Sequence, residues 1–405
     1  MDPGRQYLLL IGGTLEFARM DLRLEATYIL IKGGRLEVGT EREPFTHKAT
    51  ITLFGHVKSL ELPIFGAKTL AVHHGVVDLH GTPRAVAWTK LKETAPRNTT
   101  TLVLMEAVSW PVHSYIVVAS THFAPAGCRN PFTITDWKLK REHQHEVRII
   151  VARLDGGRRL VLDKPLLHEH LGKTFEGSRG RGSRQVEYRA EVALLSRNIV
   201  LQGDGDSGQC LATSTPGSYS CARFGATVMA HSRGHDSSVL RLSHTEFRNV
   251  GQGYRIGRFP INFNMPQSSV RSSYVRGCSI HHSFNRALGL GGVSDLLVED
   301  NVAFHVLGHA FVTETGIEER NIFKRNLAVM TLQQSGLYET DMEPAGFYIR
   351  NPQNVLEGNV AVGSDAYGFF LQIPKSVDGA CTPCGKGSLE IRYLMVYYPC
   401  STFSN

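Results

Sequence analysis

Hydrophobic and polar residues alternate along most of the first two hundred positions, and glycine interrupts the alternation at short intervals. Residues 22–31 alternate, the pattern breaks at Gly33 and Gly34, and it resumes over 35–38 before Gly39. A period of two predicts short β-strands, and glycine permits the sharp corners between them. No helical period of apolar residues interrupts this pattern. The N-terminal half is therefore predicted to be β-structure throughout.

A longer repeat appears in the C-terminal half. Residues 278–290 align without a gap with 301–313 and 359–371, and 245–256 match more loosely. Each unit reads as an alternating strand, a corner of small residues and a second apolar strand. The units recur at intervals of about 23 to 33 residues, the length of one coil of a parallel β-helix.

Stacked coils bury a continuous core and bring equivalent residues into ladders along the axis. Asn301, Asn326 and Asn359 open three of the units, so we interpret them as an internal amide ladder with a structural role. The fold predicted is all-β, with a right-handed parallel β-helix (solenoid) over 206–375 and an N-terminal β-rich domain over 1–205. From Gly385 onward the repeat fails, so 376–405 are predicted to be an atypical or truncated tail.

Composition and charge narrow the class of partner. The chain has 405 residues, a net charge of +7 and an isoelectric point near 9.0, which suit an anionic partner such as a glycosaminoglycan. The basic residues are not interleaved with aromatic residues, which argues against nucleic-acid binding. No stretch reaches the ~18 apolar residues of a membrane span, and the start lacks the regions of a signal peptide. If the chain is taken as it stands, these features predict a soluble protein that is not secreted. If it is a piece of a longer protein, its sequence gives no information on localisation.

Cysteines and one sequon favour the secretory pathway. Cys210 and Cys221 bracket a loop rich in Gly, Ser, Thr and Pro, which predicts a disulfide, and Asn98 begins an Asn-Thr-Thr glycosylation sequon. The CxxC segment 381–384 is open to redox, zinc or disulfide chemistry, with Cys400 as an alternative disulfide partner. Seven cysteines leave at least one thiol free or bonded outside the chain.

The candidates for chemistry are histidines and carboxylates. His309 lies near a coil corner and Glu314 follows it, so the pair is predicted either to bind a cation or to share a proton; alternatively, His309 is a satisfied corner residue. Two less specific candidates for a metal site are the histidine pairs with a spacing of two, His143 with His145 and His168 with His170. Asp204 and Asp206 are either paired carboxylates or the residues of a simple turn. No serine triad, phosphate loop or dinucleotide fingerprint is present, so no catalytic residue and no cofactor is assigned.

Several segments resemble a known family. Residues 33–40, 70–72 and 79–81 are similar to the eight-glycine domain, and 192–199 resemble the motif that closes it. The coils at 346–352 and 354–359 are similar to those of the fibrocystin family, and the resemblance covers nearly all of the chain to about residue 375.

This resemblance implies a very large, single-pass, receptor-like membrane glycoprotein. The chain would then be one internal piece of its extracellular region, at the plasma membrane or the primary cilium. Contact with the membrane would occur only through other parts of that protein. The partner implied is an extracellular protein or a glycosaminoglycan.

The same arrangement of domains occurs in hyaluronan-degrading cell-surface proteins. Individual residues distinguish this chain from those proteins. Those relatives show Arg-Tyr-Pro-Ile-His-Phe-His and Val-His-Gly, where this chain has Asn262, Asn264 and Gly291 in place of the three histidines. An amide does not titrate near pH 7 and cannot replace an imidazole as acid or base. The resemblance therefore implies a non-catalytic β-helical module; the alternative is a glycan hydrolase that uses His309 and Glu314.

Overall fold

The structure is a computed structural model that describes residues 4, 6–122, 144–178, 183–212, 219–232, 238–334 and 338–374. The regular secondary structure of these residues is β-strand, apart from 3-10 turns at Asp155–Gly157 and Glu339–Met342. The described residues form two compact units. The first comprises the described residues up to 83 and from 197 onward, and the second comprises those between 84 and 196.

The first unit is built from parallel strands on three faces. The long strand β3 (Leu22–Lys32) joins faces A and B into one sheet, because its first half pairs with a face A strand and its second half with face B strands. Face A contains β5 (Ala49–Leu53), β16 (Ile199–Gly203), β21 (Thr245–Val250), β24 (Ser279–Ser283), β27 (Val302–Leu307), β30 (Leu327–Leu332) and β33 (Val360–Val362).

Face B is the other part of the same sheet. Within a coil, the face B strand comes after the face A strand along the chain. It contains β1 (Gln6–Ile11), β6 (Thr69–His73), β19 (Thr227–His231), β22 (Ile261–Ser269), β25 (Leu288–Ser294), β28 (Phe311–Thr313), β31 (Ala345–Ile349) and β34 (Tyr367–Leu371). Face C is a separate parallel sheet. It contains β2 (Thr14–Glu16), β4 (Arg35–Val38), β7 (Val76–His80), β20 (Val239–Ser243), β23 (Tyr274–Arg276), β26 (Leu297–Glu299), β29 (Ile322–Lys324) and β32 (Val355–Glu357).

A coil consists of one strand on each face, for example β5, β6 and β7, followed by β16, β19 and β20. Each strand pairs in parallel with its equivalent in the next coil, so the first unit is a parallel β-helix. Alternate side chains of each strand point inward and form one continuous apolar core. The predicted all-β parallel β-helix is thereby confirmed.

The amide ladder is present at the corner that precedes face A. Asn301 Nδ2 donates to Asn326 Oδ1 (2.9 Å), and Asn326 Nδ2 donates to Asn359 Oδ1 (3.0 Å). Each amide also donates to a backbone carbonyl of the preceding coil, for example Asn326 to Val298 (2.9 Å). A second ladder, Asn321 to Asn354, lies at the corner before the last strands of face C and was not predicted.

The second unit lies in sequence between β7 and β16. Its six-stranded antiparallel sheet has its own apolar core, which includes the fully buried Trp110. The strands of this sheet are β8 (Trp88–Lys90), β9 (Thr101–Val103), β10 (Tyr115–Val118), β11 (Glu146–Leu154), β12 (Arg159–Leu162) and β15 (Glu191–Leu194). Two hairpins complete the described strands, β13 (Gly172–Ser178) with β14 (Ser183–Arg189) in this unit and β17 (Cys210–Ala212) with β18 (Tyr219–Cys221) in the first.

The units therefore do not follow the predicted division into 1–205 and 206–375. The β-helix already includes strands before residue 83, because β16 pairs with β5 on one side and with β21 on the other. What the alternation presents as one N-terminal β-region is a set of β-helix coils followed by an inserted antiparallel domain. The predicted tail, 376–405, lies outside the described residues.

Candidate functional site

A row of mainly polar residues runs along the outer side of face B. Alternation fixes its members, because their neighbours in each strand, such as Val72, Ala230 and Phe263, belong to the core. The backbone register aligns the row from coil to coil. Its members are Lys32, His73, His231, Asn264, Gly291, Glu314, Arg350 and Gln372. Neighbouring strands lie about 4.8 Å apart, so the row extends over roughly 30 Å.

Two histidines occupy adjacent coils near the start of the row. The rings of His73 and His231 are stacked, with centroids 6.3 Å apart and planes at 17°, and Phe65 contacts both edge-on. His231 Nδ1 lies 2.9 Å from the carbonyl oxygen of Asn264. A carbonyl only accepts hydrogen bonds, so Nδ1 of this ring carries the proton.

Glu314 lies near the other end of the row, above Gly291. A Cβ atom added to Gly291 would lie 3.3 Å from a carboxylate oxygen of Glu314, so the absence of a side chain there gives this carboxyl group its space. The nearest cation is Arg286, with 3.7 Å between Nη1 and Oε1. Burial raises the pKa of Glu314 to about 7, although the charge of Arg286 opposes this shift and the charge of Glu318 adds to it. The side chain keeps 21% of its surface exposed.

Arg286 is the centre of a buried polar cluster next to Glu314. Its Nε donates to Asp341 Oδ1 (2.9 Å), its Nη2 donates to Thr340 Oγ1 (3.1 Å), and its guanidinium lies 3.9 Å from the ring centroid of Tyr338. Burial raises the pKa of Asp341, with Arg286 opposing the shift, and burial raises the pKa of Tyr338 to about 12. The guanidinium thus holds both carboxylates by charge and stacks on an aromatic face.

His309 lies beneath this cluster and is fully buried. Its Nδ1 accepts a hydrogen bond from the backbone N–H of Ala345 (2.9 Å), and its ring stacks on Tyr348 at 4.3 Å and 12°. Burial and the charge of Arg286 lower its pKa well below the usual value, so the ring is neutral. The proton is therefore on Nε2, which lies 3.5 Å from Asp341 Oδ1.

This geometry does not fit His309 and Glu314 as metal ligands. One nitrogen of His309 already accepts an amide proton and the other carries a proton, so neither offers a lone pair. The closest charge to Glu314 is the cation of Arg286. Within the described ranges, no group of three or more His, Cys, Asp or Glu residues is arranged to hold a metal ion. The chemically available group is the carboxyl of Glu314, which is partly exposed and titrates near neutrality.

The spaced histidines His168 and His170 belong to the second unit, and the side chain of His170 is buried in it. His170 Nδ1 donates to the carbonyl oxygen of Ala119 (2.8 Å), and Nε2 lies 3.0 Å from Glu146 Oε1. Burial opposes ionisation of Glu146, but hydrogen bonds from the backbone of Leu167 and from His170 hold its pKa below the usual value. Both nitrogens of His170 therefore face acceptors, so neither is placed to bind a metal ion.

Other predicted residues occupy local positions. Asp204 caps a turn, where its carboxylate accepts a hydrogen bond from the buried ammonium of Lys68 (2.7 Å). This position agrees with the prediction that the segment is a turn. Asn98 is exposed in a turn, as a glycosylation site requires, and glycosylation stays a prediction. The backbones of Cys210 and Cys221 are directly opposite each other in β17 and β18. His143 and the CxxC segment lie outside the described residues.

Sequence reasoning missed Arg286, Tyr338 and Asp341. Arg286 occupies the small-residue corner of a coil, where an arginine is a departure from the repeat that could have been noticed. Tyr338 and Asp341 lie in a segment that interrupts the repeat between β30 and β31, and no local signal marks them.

In the part of the chain that the structure describes, no helix has the length and hydrophobicity required to span a membrane.

Comparison with known families gives two matches. Residues 2–92 match the G8 domain, and residues 223–405 match the CEMIP beta-helix. The first of these matches covers the N-terminal coils, and the second covers the coils that carry Asn264, Gly291 and Glu314.

Comparison with individual proteins gives similarity over most of the chain. Fibrocystin-L of Mus musculus is 38% identical over 400 residues, which cover 93% of this chain and 9% of that protein. Fibrocystin of Canis lupus familiaris is 30% identical over 89% of this chain and 9% of its own length. Cell surface hyaluronidase CEMIP2 of Homo sapiens is 30% identical over 68% of this chain and 20% of its own length. The chain thus spans about a tenth of the length of the fibrocystins that it matches.

Proposed function

The chain belongs to the fibrocystin family, with a G8 domain followed by a CEMIP-type β-helix, and from this premise we propose that it is a non-catalytic extracellular binding module. Its ligand would be an extended glycosaminoglycan that lies along the outer row of face B. The parent protein would carry this module on the outer face of the plasma membrane or of the primary cilium.

The observation that carries the non-catalytic assignment is the state of the carboxyl groups beside the row. Most glycoside hydrolases use two carboxyl groups that both reach the scissile bond. Here Asp341 is 4% exposed and is held by Arg286, so Glu314 is the one carboxyl of this cluster that reaches the row. Asn264 and Gly291, next to Glu314 in the row, carry no group that titrates near pH 7.

The assignment to a glycan rests on repeat length and charge. One polar position every coil, about 4.8 Å apart, is close to the rise of one sugar in an extended polysaccharide. Lys32 and Arg350 supply positive charge near the two ends of the row, and the chain as a whole is basic. A protein partner would be recognised on a broader and less regular surface.

The test is binding of the purified chain to immobilised heparin, chondroitin sulfate and hyaluronan, measured by surface plasmon resonance at two salt concentrations. We expect saturable binding that weakens with salt and weakens further in Lys32→Ala and Arg350→Ala. Arg320→Ala removes the same charge from an exposed position at the corner before face C and is the matched control. Equal binding by all three variants, or no binding to any glycan, would refute the assignment.

A second candidate function, glycan hydrolysis, is favoured by one observation. Glu314 is partly exposed and has a pKa of about 7, which suits a general acid. Incubation with fluorescent high-molecular-weight hyaluronan, with and without divalent metal, tests it. A reduction in size that Glu314→Gln abolishes would establish hydrolysis and overturn the non-catalytic assignment. Glu314→Gln is the sharper variant, because His309 is buried under Tyr348.

A further inference from the structure

A column of residues in left-handed backbone conformation runs along the outer side of face A, away from the row on face B. Asn249, His282, His305 and Met330 occupy equivalent positions in successive coils, with φ of +52°, +53°, +54° and +61°. The left-handed residue interrupts the strand ladder at the same position in each of these four coils. Two adjacent members of this column are histidines.

The rings of His282 and His305 have the spacing of two ligands on one cation. Their centroids are 5.2 Å apart and their planes are tilted by 49°. Zinc binds imidazole nitrogen at about 2.0–2.1 Å with a tetrahedral angle between ligands, which places the two ring centres about 5 Å apart. The stacked pair on face B, at 6.3 Å, is too far apart for this geometry.

Behind His282 lies a hydrogen-bonded chain of the kind that orients metal ligands. His282 Nδ1 is 2.8 Å from His281 Nδ1, and His281 Nε2 is 3.2 Å from Glu246 Oε1. Burial opposes ionisation of Glu246, but hydrogen bonds from His281 and from the backbone N–H of Arg197 (2.9 Å) hold its pKa below the usual value, so its carboxylate is the acceptor. His281 then donates from Nε2 and accepts at Nδ1, which leaves the proton of His282 on Nδ1 and a lone pair on its Nε2.

His282 is also available to a cation. Its residue surface is exposed, and His305 is half-buried beside it.

We propose that His282 and His305 bind one divalent transition-metal ion of the zinc class, with water completing its coordination. His281 and Glu246 are positioning residues that fix the tautomer and orientation of His282. The site lies on face A and is independent of the glycan row on face B. It uses two protein ligands, so its affinity is that of a solvent-accessible site and not that of a structural zinc centre.

Isothermal titration of the purified chain with zinc chloride at pH 7.4 tests the proposal. The informative variants are His282→Asn and His305→Asn, because asparagine tolerates a left-handed backbone and already stands at position 249 of the same column. We expect one zinc ion per chain, lost in both variants, and binding about 10- to 100-fold weaker in Glu246→Gln. Cobalt in place of zinc should give the visible absorption of a tetrahedral site that both asparagine variants lack.

His47→Asn is the matched control, since it removes a histidine that is 45% exposed elsewhere on the β-helix. The metal-free variants are compared by circular dichroism and thermal unfolding, so that a failure to fold is recognised; the two asparagine changes lie on different coils and test the site separately. Absence of zinc binding, or binding that either asparagine variant retains at the affinity of His47→Asn, would overturn the proposal.

Discussion

The carboxyl group of Glu314 is held between two opposing influences. Burial favours its protonated form, and the nearby guanidinium of Arg286 favours its ionised form. Burial is the stronger influence, so the pKa rises from 4.5 to about 7. At the scale of single residues, Glu314 is therefore a carboxyl group of the row whose charge changes near neutral pH.

This titration should be measurable as a pH dependence of stability. Between about pH 4.5 and 7 the folded state holds a proton that the unfolded state has released, so the protonated carboxyl stabilises the fold at low pH. That contribution is lost as the pH rises through about 7. Urea unfolding of wild type and Glu314→Gln is measured at pH 5 and pH 8. Relative to wild type, the free energy of unfolding of the variant should be higher at pH 8 than at pH 5 by on the order of 2 kcal/mol.

Glu16→Gln, at an exposed position of β2, is the control for the loss of one carboxylate. Parallel pH profiles for wild type and Glu314→Gln would contradict the assigned pKa and weaken the case for Glu314 as an acid. The comparison needs no ligand, so it is independent of the proposed function.

Among the elements, the amide ladders connect the coils where the strands turn. Asn326 is fully buried, and its side chain accepts from the Asn301 backbone N–H (3.1 Å) and amide, and donates to Val298 and Asn359. The inner amides are thus bonded on both sides. Asn359 lies at the end of the ladder and is partly exposed, so water can replace some of its partners.

Replacement of an inner amide should cost far more than replacement of an exposed one. Asn326→Ala leaves the backbone N–H and side-chain amide of Asn301 and the carbonyl of Val298 buried without their partner, and each loss costs about 1 kcal/mol or more. We expect Asn326→Ala to lower the free energy of unfolding by about 3 kcal/mol, measured by urea denaturation. Gln353→Ala, in the exposed corner before β32, is the control and should change it by less than about 0.5 kcal/mol.

The hairpin of β17 and β18 makes a specific prediction about cysteines. Cys210 and Cys221 are directly paired in the antiparallel register, which places their Cα atoms about 4.5–5.5 Å apart, within the range of a disulfide. Peptide mapping of the chain secreted from eukaryotic cells should identify a Cys210–Cys221 cross-link. Recovery of either residue as an alkylated free thiol without reduction would contradict it.

On the scale of the whole molecule, the second unit is an insertion into a continuous β-helix. The chain leaves the helix after β7 and returns before β16, and these points are adjacent, because the Thr82 backbone N–H donates to Asn198 Oδ1 at 2.8 Å. The apolar core of the β-helix does not include any residue of the second unit. Neither core therefore depends on the other for its own packing.

Removal of the inserted unit should leave the β-helix folded. A chain in which a short Gly/Ser linker replaces residues 84–196 joins two points that are already hydrogen-bonded neighbours, so closure costs little entropy. We expect it to be soluble, with a β-type circular dichroism spectrum and a cooperative thermal transition. Aggregation or loss of the transition would show that the β-helix requires the inserted unit.

Much of the architecture follows from local pattern. The repeat of 278–290 at 301–313 and 359–371 predicts coils, and Asn301, Asn326 and Asn359 predict their ladder, because stacking places like residues in contact. The seam near residue 205 does not match the compact units, because parallel and antiparallel strands share the same alternation. Only the pairing of β16 with β5 reveals that the helix begins much earlier.

The sequence by itself determined the period of the coil, the all-β composition and the identity of the residues, including the amides of Asn262 and Asn264. The tertiary structure decided which distant residues meet. Arg286 reaches Asp341 and Glu314, and His282 reaches His305, through coil stacking and a segment outside the repeat. Pairing across coils depends on register and burial, which are properties of the packed chain and leave no trace in local alternation.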